Sequence, residues 1–573
     1  MKLKYISLLS LLLVFTACPD FLEPDIRSDE SADKFYKTEV GFESLTNATY
    51  SSLRVVYNNW PLVFSAGTDL YGDGKNQGIV LNHYNALDAS ESLVRDLYSA
   101  CFKGIQLANT VIYYGKHTEA SPVREQYVDE ARFIRAWYYF QLVQQFGEVT
   151  LQRKMFDYAE MSHERTDLKE LYNFIIDEFT YLASNSSKLL ERTKSNVGRA
   201  NKRAAAFFLA KTHLTRAWLN GQDYEKLEDN IAQADDYTKA ATFALQAIEE
   251  ELPSLSIDEA FDINNENNTE LFWSVQYSYA SIENPVSSGS YQQAQFGCYL
   301  GGSEFPLNKA MDGNLAPFLR LHQLFSKGDG RYEQTFMTEF HQNYFDYYTE
   351  PTSSPIIYYY PPAWATNSDI AAWQADDPHG LKANAIVSKT IAEGGIAPSN
   401  GKEASYSNRR TMDFGVSCVK KFDDYTATAL SNRSQGCSMH DVVVARLGEA
   451  YLIAAEAYVQ NGQANQAADM INKLRARPGT MKAGFEEDMT VAASDMTIDF
   501  ILDERARELA GEYVRWTDLK RTHKLIEYVL AYNEDNVTEN NMKGDDGNYK
   551  ILRPIPQIAL DRNQNKVIQN PGY

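Results

Sequence analysis

Apolar residues recur at helical spacing along most of this chain, and the clearest run lies between Asp441 and Asp518. Val442 to Tyr458 predicts one helix, Asn461-Gly462 a turn, and Gln463 to Arg475 a second helix that stops at Pro478-Gly479. Tyr451, Ala455, Tyr458, Gly462, Ala467 and Ile471 fall on the spacing of a tetratricopeptide unit, whose repeat is about 34 residues. Ala455 and Ala467 are small enough for two helices to approach closely, and Tyr451, Tyr458 and Ile471 fill the groove beside them. Phe500 to Lys520 predicts a third helix, with Leu502, Ala506, Leu509, Tyr513 and Trp516 on one stripe. On its polar face, Asp503 and Arg507 stand at i,i+4 and Glu512 and Arg515 at i,i+3, the spacing of local ion pairs. One hairpin cannot bury its own apolar face, so more are expected.

The same period returns at Glu39 to Val56, Ser92 to Tyr114, Leu168 to Leu182, Arg199 to Asn220 and Tyr237 to Ile248. Ser121-Pro122 is a helix start, Ser capping and Pro in the first turn. The helix it opens has Tyr127, Ala131, Ile134, Tyr138 and Leu142 on one stripe and Phe133, Trp137 and Phe140 on another, the pattern of a helix held between neighbours; Gly147 ends it. Two stretches lose the period. Residues 57–89 hold Trp60-Pro61, Gly67, Gly72-Asp73-Gly74 and Gly78; residues 252–419 are rich in Gly, Pro, Asn and Tyr, with Glu270 to Tyr279 alternating like a short strand and Trp273 read as core. The predicted fold class is mainly α: a tetratricopeptide-like helical hairpin scaffold over about residues 39–250 and 441–530, with large irregular loop inserts at 57–89 and 252–419 and minor β. Long irregular stretches on a rigid scaffold are where a ligand is usually met.

Charge and the amino terminus narrow the function. The 573 residues carry a formal net charge of −22, which disfavours nucleic acid and anionic lipid as partners. Met1-Lys2-Leu3-Lys4 is a positive n-region, and Tyr5 to Ala17 is apolar but too short to span a bilayer. Phe15-Thr16-Ala17-Cys18 ends it as a bacterial lipoprotein signal does. Residues 1–17 are therefore expected to be removed and residues 18–573 to form a single domain, lipidated on Cys18 and anchored to a membrane, not spanning it. The remaining Cys101, Cys298, Cys418 and Cys437 allow one or two disulfides; buried free thiols fit equally well.

Catalytic and metal motifs are weak. The carboxylates between Asp503 and Glu512 alternate with Arg505, Arg507 and Arg515, which would hold them ionised, so structural ion pairing is preferred over a glycosidase pair. Gly395 to Lys402 lacks the spacing and hydroxyl of a phosphate loop, and Asp262 to Glu270 lacks the central glycine of a calcium loop. The nine histidines show no metal-ligand spacing, so no cofactor or metal is expected. Ligand binding is the positive case: sugar C–H faces stack on aromatic rings while hydroxyls seek amide and carboxylate partners. Trp60, Tyr71, Asp73 and Asn76 in the first insert, and Tyr291, Tyr299 and Trp364 in the second, are the candidate ligand-binding residues. Each aromatic has the alternative of lying tucked onto the scaffold.

Several of these pieces together are similar to a known family. Asp20-Phe21-Leu22-Glu23 follows Cys18; Tyr98, Ile105 and Ala108-Asn109 lie in the first long helix; Arg132 to Phe140 leads to Phe146-Gly147; then come Asp329-Gly330-Arg331, Ile501 to Leu509, Arg515-Trp516 with Asp518 to Arg521, Pro554-Ile555-Pro556, and Gln569 to Tyr573. In this order after a lipoprotein signal, they resemble the SusD/RagB family of nutrient-binding outer-membrane lipoproteins. The resemblance implies a non-catalytic, lipid-anchored protein at the cell surface. It implies oligo- or polysaccharide capture and delivery to a SusC-like TonB-dependent transporter. Peptide or glycopeptide capture by the same lid mechanism, or a repeat scaffold for transporter assembly without its own ligand, are the alternatives.

Overall fold

The computed structural model describes residues 32–58, 61–75, 78–156, 161–221, 230–278, 289–297, 300, 311, 313–349, 354–388, 406–425 and 438–573, with residues 58, 406, 407 and 418 described in their backbone only. Cys18, Trp60, Asn76, Cys298, Tyr299 and Cys437 lie outside the described residues, as does the 395–402 segment.

Helices dominate, and their edges follow local chemistry. The first six long ones are α1 (Glu39–Asn58), α2 (Ser92–Tyr114), α3 (Arg124–Phe146), α4 (Leu168–Leu182), α5 (Lys202–Ala217) and α6 (Asp236–Ile248). Asp167 caps α4 by accepting from the Lys169 and Glu170 amides, and Asn201 caps α5 by accepting from Ala204. Gly147 ends α3 at φ 69°, backbone that costs glycine little. Apolar on both sides, α3 is sandwiched between α2 and α4, with Trp137, Tyr138 and Tyr139 each 0% exposed.

The carboxy-terminal scaffold comprises α7 (Leu447–Gln460), α8 (Ala464–Arg475), α9 (Ile498–Glu508), α10 (Arg515–Arg521) and α11 (Leu525–Tyr532). Helix α7 packs on α8 and on α6, and both partners bury alanines there: Ala240, Ala244 and Ala247 from α6, and Ala450, Ala454 and Ala457 from α7. The two helical runs thus share one apolar core although the second insert separates them in sequence. Among the described residues no helix is long and apolar enough to cross a membrane.

Four expectations from the sequence need correction. Val442 to Arg446 is not helical: it is strand β9, antiparallel to β2 (Leu271–Val275), and α7 starts only at Leu447. Three consecutive valines favour extended backbone once a partner strand supplies hydrogen bonds. The helix expected over Phe500 to Lys520 is two helices, α9 and α10, because Gly511 and Tyr513 adopt φ of 76° and 61°. Its apolar stripe survives because Leu502, Leu509, Tyr513 and Trp516 all reach the same core. The expected pairs Asp503–Arg507 and Glu512–Arg515 give way to others: Asp503 takes Arg320, Glu512 takes Arg446 and Lys421, and Arg515 takes Asp69, while Arg507 stays local and takes Glu504 three residues before it. Strand β2 is also buried on both faces, so its sequence alternation does not mark an exposed side.

Short strands order the inserts. In chain order with β2 and β9 they are β1 (Tyr71–Asp73), β3 (Leu315–Pro317), β4 (Phe336–Met337), β5 (Glu339–His341), β6 (Ile356–Tyr359), β7 (Ile386–Val387) and β8 (Cys418–Val419). Strands β5, β6 and β7 form one small sheet, β4 pairs with β8, and β1 pairs with β3. A second apolar cluster, built on Met337, Phe340, Tyr344, Tyr360 and Phe414, belongs to the second insert alone.

Candidate functional site

The pairing of β1 with β3 joins the two irregular inserts. Tyr71 lies opposite Pro317 and Asp73 opposite Leu315, and the Gly74 and Lys75 amides donate to the Asn314 and Gly313 carbonyls. Only glycine fits at position 72: a Cβ there would stand 2.2 Å from the Phe318 ring and 2.3 Å from the Asp535 carboxylate. Arg410 donates to the Asp73 carbonyl at 3.0 Å and to Asp535 at 2.8 Å, and Lys75 pairs with Asp413, so both inserts are clamped to the chain after α11.

Asp73 is the electrostatic centre of this seam. Its carboxylate accepts from Asn82 at 2.7 Å, from the Gly78 amide, and lies 2.9 Å from His83 Nε2. Burial pushes Asp73 upward, but the hydrogen bonds from His83, Asn82 and Gly78 outweigh it and hold the carboxyl below its usual range. The same bond raises His83. Burial raises Glu534 nearby, against its bond from the Leu319 amide and the charge of Arg410.

On another part of the second insert, aromatic rings reach solvent. The turn Tyr344–Tyr348 packs on β5, and Tyr347, Tyr348 and Tyr425 are half-buried. Tyr348 and Tyr425 stack at 4.8 Å between centroids, 21° apart. The Tyr425 hydroxyl donates to Asp262 at 3.0 Å and accepts from exposed Asn264 at 2.8 Å. Lys420 bridges to exposed Asp258 at 3.2 Å and lies 5.4 Å from the Tyr347 centroid. This patch combines partly open aromatic rings with carboxylate, amide and ammonium groups at their edge. It can bind a flat, hydroxyl-rich molecule by stacking and hydrogen bonding.

The residues singled out from sequence are dispersed. Tyr71 is 1% exposed with its ring 4.9 Å from Phe296, and Tyr291 is 6% exposed at the start of the helix Gln292–Phe296; neither offers an open ring face in this conformation. Asp73 turns its carboxylate inward, as described above. Trp364 is half-buried, edge-on to Tyr332 at 4.7 Å, with Lys482 at 5.6 Å from its ring. The β1–β3 pairing does bring Tyr71 and Asp73 against the second insert. Tyr347, Tyr348 and Tyr425 were missed because a tyrosine-rich sequence does not say which rings stay open. Spacing gave no sign of the stacking of Tyr348 on Tyr425, 77 residues away, although the Tyr344–Tyr348 run is conspicuous in the sequence.

The acidic segment of α9 is fully committed. Glu504 is bonded by Arg475 at 2.7 Å and also pairs with Arg331 and Arg507, while Glu508 pairs with Arg446 and Arg331. Burial opposes ionisation of Glu508, but Arg446, Arg477 and Arg331 outweigh it and pull its carboxyl down to about 2. A general acid needs a pKa near its working pH, which these groups lack. Asp329-Gly330-Arg331 closes on itself, Arg331 clamping Asp329 through two bonds of 2.9 and 2.8 Å. In the segment Asp262 to Glu270, Asp262 caps a turn at the Asn264 amide, Glu266 accepts from the Asp441 amide and Glu270 accepts from the Ser254 and Leu255 amides, which accounts for all three acids structurally. Cys101 is a buried free thiol.

Comparison with known proteins agrees with the fold. The profile of the SusD family matches residues 220–573, and one described as starch-binding associating with outer membrane matches residues 20–214. A SusD-like protein P2 of Formosa agariphila is 24% identical over 593 residues, covering 100% of both chains. Among solved structures, a SusD superfamily protein from Parabacteroides distasonis superposes with a TM-score of 0.64 at 21% identity, covering 93% of this chain and 99% of that one. Surface glycan-binding protein A from Bacteroides thetaiotaomicron, in complex with laminarihexaose, superposes with a TM-score of 0.63 at 16% identity, covering 94% and 100%.

Proposed function

The chain belongs to the SusD family, and on that premise we propose that it captures an oligo- or polysaccharide at the outer membrane without cutting it. The observation that carries this reading is the stacked Tyr348–Tyr425 pair beside Asp262 and Asn264, a composition that suits sugar faces and hydroxyls. A structural relative bound to laminarihexaose supports a glycan as the class of ligand. The neutralised carboxylates of α9 favour binding over hydrolysis.

The captured glycan passes to a SusC-like TonB-dependent transporter, with the protein held at the cell surface by a lipid on Cys18. The motivation is the lipoprotein-type leader and the family membership. Trp364, together with Trp60, Asn76 and Tyr299, remains in the proposed ligand-binding set, and Tyr347, Tyr348 and Tyr425 join it.

Isothermal titration of the folded mature chain against soluble β-glucans, starch, mannan and peptide digests tests the reading. Saturable binding to a glycan without new reducing ends is expected. Binding to peptides alone, or to nothing in the panel, would overturn it.

A further inference from the structure

We propose that Asp73, His83 and Asp535 form a binding site for a first-row divalent cation of the zinc or manganese type. The three come from different parts of the chain: the end of β1, the last residue of the one-turn helix Val80–His83, and the segment after α11. One ligating atom from each lies within 4.8 Å of the other two. An imidazole with two carboxylates is a donor set that first-row divalent ions accept, whereas calcium and magnesium favour oxygen alone.

The surroundings are those of a held site. Asp73 accepts from Asn82 on the oxygen that does not face His83, and Asp535 accepts from Arg410 at 2.8 Å and from the Asp73 amide at 2.8 Å. Such outer hydrogen bonds fix carboxylates in metal sites. The Asp73 oxygen that faces His83 also accepts from the Gly78 amide, so the position open to a metal there is the one His83 Nε2 now fills. The Asp73 and Asp535 side chains are 8% and 7% exposed while His83 is 28% exposed, so the cluster opens to water on the imidazole side.

Two further observations point the same way. The absence of a side chain at Gly72 is what lets the Asp535 carboxylate come against β1, since a Cβ there would lie 2.3 Å from it. The acids also outnumber their partners: Asp73, Glu534 and Asp535 face the Arg410 guanidinium and the His83 imidazole, because Lys75 is committed to Asp413. A divalent cation supplies the missing positive charge. On binding, the bond between His83 Nε2 and Asp73 is replaced by one bond from each to the metal, and a proton held on Nε2 passes to Nδ1 or to water. The cation would tie the first insert to the carboxy-terminal segment.

The test uses tag-free, chelator-stripped mature protein titrated with zinc, manganese and calcium chlorides, beside His83→Gln and Asp535→Asn variants checked for folding by circular dichroism. Gln at 83 keeps an N–H for Asp73, so it preserves the local hydrogen bond while removing the imidazole ligand. One equivalent of zinc should bind, weakened more than about tenfold in His83→Gln. Cobalt should give a visible absorption band that the same variant loses. Failure to take up zinc, zinc uptake unchanged in His83→Gln, or calcium binding as tightly as zinc would overturn the proposal.

Discussion

Arg515 of α10 grips Asp69 of the first insert through two parallel hydrogen bonds, Nε to Oδ1 at 2.8 Å and Nη2 to Oδ2 at 2.6 Å, across 446 residues of sequence. The Asp69 side chain is wholly buried, and Arg320 adds a third bond at 3.0 Å. Burial works to raise Asp69, but the two guanidiniums outweigh it and keep the carboxylate ionised. Removing one partner would leave buried charge uncompensated, at a cost of about 3–5 kcal/mol. Asp69→Asn is expected to lower the urea midpoint strongly. Arg515→Lys should also be costly, because an ammonium cannot reproduce the two-bond fork. Equal midpoints for wild type and Asp69→Asn would refute this.

Acid should unfold the protein through the same kind of pair. Glu508 and Asp518 are each pulled down to about 2 from ordinary values of 4.5 and 3.8. For both, burial alone would raise the group, and the arginines around it win. A carboxyl depressed in the folded state stabilises the fold above its unfolded pKa and loses that contribution as pH falls toward the folded value. The loss should therefore fall between about pH 4.5 and pH 2, at roughly 2.5 to 3.5 kcal/mol apiece. Denaturant midpoints measured across that range should drop steeply. The slope should flatten in Glu508→Gln.

The helices were legible because their apolar period is long and uninterrupted. Ser92–Tyr114 and Leu168–Leu182 end where the pattern ends. What stayed hidden depends on partners far away in sequence. Val442–Arg446 becomes a strand only because Leu271–Val275 lies beside it. Arg505, Arg515 and Arg521 look like partners for neighbours one turn away, yet each reaches an acid on another element, Glu449, Asp69 and Glu456 in turn, since buried geometry outweighs the few tenths of a kcal/mol of an exposed i,i+4 pair. His83 looks solitary until the fold brings Asp535 to it. Aromatic content flagged the inserts as binding elements, but Tyr71 and Tyr348 are indistinguishable by type, and only packing buries one and half-exposes the other.

Gly104 lies in the interior of α2, where replacement by Ala ordinarily gains about 0.5–1 kcal/mol. Here the sign should reverse. A Cβ at this position would stand 2.1 Å from the ring of Tyr138 on α3. That ring is 0% exposed, and its hydroxyl shares a 2.8 Å hydrogen bond with Ser52. It has nowhere to swing, and overpacking of this kind costs about 1–3 kcal/mol. Gly104→Ala should thus be net destabilising by chemical denaturation, and a more stable variant would contradict the packing described.

Cys101 should be chemically silent in the native protein. It is 0% exposed, and burial pushes its thiol well above the usual range, so the reactive thiolate is scarce. Cys101→Ser should leave native-state labelling by an aromatic disulfide reagent unchanged, and the difference of one thiol should show only after denaturation.

Loss of glycan binding should track the open rings and spare the buried ones. Tyr348→Ala and Tyr425→Ala each remove one ring of the stacked pair, and an aromatic contact of this kind contributes about 0.5–1.5 kcal/mol, so titration should show affinity falling roughly two- to twelvefold. The double variant should lose less than the product of the two, since each ring supports the orientation of the other. Asn264→Ala removes a hydrogen bond to the Tyr425 hydroxyl and should act in the same direction more weakly. Trp364→Ala is different in kind: its ring leans on Tyr332, so a drop in stability should accompany any drop in affinity. Tyr71, held at 4.9 Å from Phe296 with 1% exposure, provides the contrast. Tyr71→Phe keeps that packing and should bind glycan as wild type does. Full affinity in the Tyr348→Ala, Tyr425→Ala double variant would move the binding surface away from this patch.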